Sequence, residues 1–125
     1  MPIRVLVVDD SIVFRTKLQL SLSEDPEIQV VACAIDAADA LKKIRTFSPD
    51  VVTLDVEMPN VNGIDFLKDL IPKHPIPVVV VSALPLNALD ALSAGAVDFV
   101  RKPMAGRPNT GKLLIEDLKA KVKIS

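Results

Sequence analysis

Apolar residues along this chain come in two rhythms. Short runs such as Val5-Leu6-Val7-Val8 and Val78-Val79-Val80-Val81 alternate with longer stretches in which apolar residues recur every third or fourth position. That alternation predicts an α/β fold, a parallel sheet with helices on both faces. Strands are expected over 3–8, 28–35, 50–54, 78–81 and 96–100, and the lack of clean polar/apolar alternation predicts burial on both faces. The pattern leaves room for five helices. Ser11 should cap the first, with Phe14, Leu18 and Leu22 inward, and Asp36 the second, with Ala37, Ala40, Leu41 and Ile44 inward. Asn62 can cap the third, where Ile64, Leu67 and Ile71 face the sheet before Pro72 disfavours further helix. A short fourth helix over 87–94 should stop at Gly95, and the last should place Ile115, Leu118 and Val122 on one side.

Composition narrows the class. A length of 125 residues fits one domain spanning 1–125, and an apolar fraction of 50% argues against disorder. A net charge of −1 with no basic stripe argues against a nucleic-acid partner. The apolar runs fall short of a membrane span, and Met1-Pro2-Ile3-Arg4 lacks the features of a secretory signal. Cys33, the single cysteine, cannot form an internal disulfide and is expected as a buried thiol. A cytoplasmic location is therefore expected, with no membrane partner.

In an open parallel sheet, ligands bind at the carboxyl ends of the strands, where the strand order reverses. Asp9-Asp10 ends the first expected strand, Asp55 the third and Ser82 the fourth, while Lys102 follows the fifth. Each alone has an ordinary reading: Asp and Ser cap helices and form turns, and a lone Lys is a solvated charge. Together they differ, because three acids gathered without a cation repel one another. Magnesium suits the set, since it takes hard oxygen ligands and needs only one or two carboxylates from the protein. Calcium asks for more protein ligands. Zinc asks for His or Cys, and the only histidine, His74, lies in a polar segment and is expected as an exposed bystander. A carboxylate beside such an ion can attack phosphorus, which points to Asp55, with Lys102 and Ser82 as donors to the phosphoryl oxygens.

These stretches resemble the receiver domains of two-component response regulators: Val7-Val8-Asp9-Asp10-Ser11, Leu54-Asp55-Val56-Glu57-Met58-Pro59 with Gly63, Ser82-Ala83, and Lys102-Pro103. The resemblance covers essentially the whole chain. It implies a flavodoxin-like sheet of order 2-1-3-4-5 and phosphorylation of Asp55 by a sensor histidine kinase. It further implies that Asp10, Asp55 and the main-chain carbonyl of Glu57 ligate Mg2+, that Asp9 supports it through water, and that Lys102 pairs with the phosphoryl group. Ser82 and Phe99 would form the switch. A narrower likeness, to the N-terminal receivers of chemotaxis methylesterases, rests on Thr53-Leu54-Asp55-Val56-Glu57-Met58-Pro59, Pro75-Ile76-Pro77-Val78 and Gly95-Ala96-Val97-Asp98-Phe99-Val100. The segment between Ser82 and Gly95 departs from that subfamily, being shorter and lacking its Thr-Glu-Glu-Gly stretch. This likeness implies a C-terminal methylesterase domain outside the chain, whose action on chemoreceptors the receiver would restrain until phosphorylated. No Gly-x-Ser-x-Gly elbow occurs here, so the chain itself carries no esterase site.

Other readings are a stand-alone receiver, a degenerate docking receiver and an aspartyl-phosphate phosphatase. The phosphatase pattern asks for a second Asp two positions after the nucleophile, where this chain has Glu57. A nucleotide-binding module is disfavoured because the turn after the first strand holds acids and no glycine.

Overall fold

Val-rich segments form the strands and the 3.6-residue stripes form the helices in the computed structural model, which describes residues 2–55, 63–82, 92–101 and 110–124. The strands are β1 (Ile3–Val8), β2 (Ile28–Ala34), β3 (Val51–Asp55), β4 (Val78–Ser82) and β5 (Asp98–Arg101). They pair in parallel in the order β2-β1-β3-β4-β5. The described helices are α1 (Ile12–Ser23), α2 (Ala37–Phe47), α3 (Gly63–Lys73) and a C-terminal helix, Thr110–Ile124.

Alternate residues of the central strands feed two separate cores. On one face Leu6, Val8, Val52, Leu54 and Val80 pack with Ala40 and Ile44 of α2 and Phe66, Leu67 and Leu70 of α3. On the other, Val5, Val7, Val51, Val79 and Val81 pack with Leu18 and Leu22 of α1 and Leu118 and Val122 of the C-terminal helix. Each fully buried side chain of this kind contributes about 1.5–3 kcal/mol. The two-sided burial expected for all strands fails at β2, where Gln29 is exposed and the middle residues are half-buried. It is one of the sheet's two edges, covered less completely by the helices.

The caps follow the sequence. Ser11 Oγ accepts from the Phe14 amide at 3.3 Å and Asp36 Oδ1 from the Asp39 amide at 2.8 Å. Asn62 lies outside the described residues. Helix α3 adds to the expectation on its buried face and departs from it at its end. It buries Phe66 and Leu70 as well as the expected Leu67, with Ile71 half-buried against the same core and the Ile64 side chain outside the described residues, and it continues through Pro72 to Lys73. Pro72 removes one amide donor near the helix end without stopping it, and the helical pattern closes with the His74 amide donating to the Leu70 carbonyl at 2.7 Å. Of the expected fourth helix, residues 87–91 lie outside the described residues, and Gly95 has the expected positive φ, 114°. Strand β5 begins at Asp98, two residues later than expected. Cys33 is half-buried rather than buried, because it sits on the edge strand with its Sγ 3.5 Å from Gln19 Oε1. His74 is also half-buried, beside Pro75 and Ile76 in a cleft of about 470 Å³.

Two features of this packing are open to test. A Cβ at position 95 would stand 3.0 Å from Ile71 Cγ1 on a backbone that favours glycine. Gly95→Ala is therefore expected to cost about 1–2 kcal/mol in urea denaturation, and an unchanged midpoint would show that the turn relaxes freely. At the far end of the C-terminal helix, Lys123 Nζ lies 2.7 Å from Asp25 and 2.8 Å from Glu27. The lysine's hydrogen bond, helped by the Glu27 amide, holds the Asp25 carboxyl below its ordinary range, and the two carboxylates raise Lys123. The pair's contribution is thus full between roughly pH 4 and 10, lost below as Asp25 protonates and above as Lys123 deprotonates. The stability difference between wild type and Lys123→Met should shrink on acidification below pH 4; a constant difference would exclude the ionic contribution.

Candidate functional site

Strands β1 and β3 are neighbours, and their register runs Val5↔Val51 to Val8↔Leu54. Extending it by one residue sets Asp9 beside Asp55. Carboxylate oxygens of Asp9, Asp10 and Asp55 lie within 4.8 Å of one another. Asp9 is 1% exposed and Asp55 2%, whereas Asp10 is open to solvent.

Local bonding fixes this arrangement. The Asp9 amide donates to the Ala34 carbonyl at 3.0 Å, prolonging the sheet by one residue. Asp9 Oδ1 accepts from the Ser11 amide at 2.9 Å, an Asx turn that reverses the chain into α1. Arg15, one turn into that helix, donates through Nη1 to the Asp9 carbonyl at 2.8 Å. Sequence reading missed Arg15; its signal is its place one turn after the cap, where a long side chain reaches back to the strand end.

Asp55 closes β3 opposite Val81, the residue before Ser82 on β4. The Ser82 backbone pairs in turn with Arg101, the residue before Lys102. The Ser82 main chain therefore stands at the same sheet edge as the three acids. The side chains of Ser82 and Phe99, and the whole of Glu57 and Lys102, lie outside the described residues.

Sequence reading also passed over Thr53, treated as part of an apolar strand. It is 1% exposed, and its hydroxyl makes no hydrogen bond among the described residues. Leaving a buried hydroxyl unbonded costs about 1–3 kcal/mol.

Chemically the cluster is a set of hard oxygen donors with no His or Cys, which suits a hard divalent cation in an oxygen shell. Its open side is at Asp10, so a ligand approaches from solvent while Asp9 and Asp55 stay held by the sheet. With no cation bound, the three like charges work against the fold. Asp10→Asn is expected to raise stability in metal-free buffer by about 1 kcal/mol, the water-screened Coulomb value at this spacing, as read from the thermal unfolding midpoint. A lowered midpoint would mean that Asp10 makes a bond the fold needs.

Comparison with known proteins agrees with this fold. Residues 5–110 match the family described as the response regulator receiver domain. The chain is 49% identical over 123 residues to a protein-glutamate methylesterase/protein-glutamine glutaminase of Syntrophomonas wolfei, covering 98% of this chain and 36% of the relative. A relative of the same name in Caulobacter vibrioides is 50% identical over 127 residues, with the same coverage, 98% of this chain and 36% of the relative. The chain thus spans about a third of the length of these relatives. Among solved structures, the response regulator domain of Thermotoga maritima CheB superimposes with a TM-score of 0.89 at 39% identity, covering 99% of this chain and 96% of that one.

Proposed function

Since the chain belongs to the response regulator receiver family, we propose that it is the phospho-accepting domain of a chemotaxis methylesterase, switched by a sensor histidine kinase. The observation that carries this reading is the gathering of Asp9, Asp10 and Asp55 within 4.8 Å at the carboxyl edge of the sheet.

Asp10 and Asp55, with the Glu57 carbonyl, would hold Mg2+, and Asp9 would support it through water. The ion supplies charge neutralisation to the acids and to the phosphoryl oxygens. An oxygen of Asp55 attacks the phosphorus of the kinase's phosphohistidine; a P–O bond forms as the P–N bond breaks, and the imidazole leaves with its electron pair and takes up a proton. The sheet contributes by fixing the nucleophile, since Asp55 is the last residue of a strand buried along its length. Lys102 and Ser82 donate to the phosphoryl oxygens, and Ser82 and Phe99 carry the change outward. In the parent protein, phosphorylation relieves the receiver's restraint on an attached methylesterase domain that acts on chemoreceptors, in the cytoplasm. No described helix is long and apolar enough to cross a membrane.

The test is intact-mass spectrometry after incubation with acetyl phosphate and Mg2+. One phosphoryl addition is expected, lost in Asp55→Asn and on chelation; addition that survives in Asp55→Asn would place the acceptor elsewhere. Lys102→Met should keep Mg2+ binding while losing about tenfold or more in phosphorylation or in the response to it. Lost metal binding with normal signalling would reverse that assignment.

A further inference from the structure

Thr53 stands where the fold has no use for a hydroxyl. Its register partners on the adjacent strands are Val7 and Val79, both fully buried. Val51, two residues earlier on the same face, belongs to the apolar cluster of α1 and the C-terminal helix. A valine would have the same shape without an unbonded polar atom. Only Asp9 and Asp55 join Thr53 as buried polar side chains among the described residues. Both lie one step toward the carboxyl edge on the same sheet face, since positions 5, 7 and 9 of β1 and its extension and 51, 53 and 55 of β3 alternate together. Two residues along a strand span about 6.6 Å, close enough for a hydroxyl and a carboxylate on one face to meet after a small side-chain turn.

We propose that Thr53 is a positioning residue of the acidic site: once the site is loaded, its hydroxyl donates to the inner carboxylate oxygen of Asp55 and turns the outer oxygen toward the phosphoryl donor. This rests on the reading of Asp55 as phospho-acceptor. The carboxylate has two oxygens, and attack needs one of them aimed along the line of the breaking bond. A donor fixed in the sheet below selects which one. The hydroxyl is poised rather than engaged in the unloaded protein, so its effect belongs to the reaction and not to folding.

The experiment compares wild type, Thr53→Val and Thr53→Ser by thermal unfolding in metal-free buffer, Mg2+ titration followed by NMR, and phosphorylation by acetyl phosphate over a range of its concentrations. Thr53→Val is expected to unfold at or above the wild-type temperature and to bind Mg2+ within about threefold of wild type, while its maximal phosphorylation rate falls about tenfold with little change in half-saturation. Thr53→Ser, which keeps a hydroxyl, should recover most of the rate. A Thr53→Val rate equal to wild type would sink the proposal. So would failure of Thr53→Val to fold, which would show that the hydroxyl is already bonded in the unloaded protein, or a tenfold loss of Mg2+ affinity, which would place its effect on the cation. If wild type itself took up neither Mg2+ nor a phosphoryl group, the phospho-acceptor reading would fall first and this role with it.

Discussion

Like charge gathered in apolar surroundings is the constraint on which the rest of this structure depends. Asp9 and Asp55 are almost fully buried, and Asp10 completes a triplet whose oxygens lie within 4.8 Å. Two unit charges at 4 Å repel by about 4 kcal/mol at an effective dielectric constant of 20. Such a cluster survives only on a rigid support. The sheet supplies one: β3 is buried along its whole length and the last four residues of β1 likewise. Two apolar cores, one on each face, hold those strands from both sides. The repulsion thereby becomes a reservoir of affinity, since whatever neutralises the acids releases it.

Much of this was legible in the sequence because it is written in local chemistry. Ser11 and Asp36 announce their helices by residue type and position, and both caps are made. Leu18 and Leu22 repeat at helical spacing and are buried as read. The convergence of Asp9, Asp10 and Asp55 followed from a rule about strand ends. What escaped depends on neighbours distant along the chain. The half-burial of Cys33 follows from β2 being an edge, a property of strand order and not of the residues around Cys33. In α3 the spacing marked Leu67 and Ile71, which do face the core, but Phe66 and Leu70 are buried beside them and only docking adds those two. Thr53 looked like one more β-branched strand residue. Its polarity becomes meaningful only when the valines on either side of it in the sheet are known.

The acids meet because of register, and hydrophobicity alone cannot set it. A strand apolar on both faces loses little burial when it slips by one residue, yet that slip would turn Asp55 to the opposite face and leave Asp9 beside Leu54. The pairing is pinned at the far end of the sheet by polar contacts. The Arg4 amide donates to Asp50 Oδ2 at 2.9 Å, the Asp50 amide to the Arg4 carbonyl at 2.8 Å, and Arg4 Nη1 to the Ser48 carbonyl at 3.0 Å. Ser48 has the left-handed φ of 46° at the end of α2, which turns the chain into position for those bonds. None of these groups is near the site. They act on it through geometry: with Arg4 locked to Asp50, each later pair of β1 and β3 is fixed in turn, and the last of them sets Asp9 against Asp55.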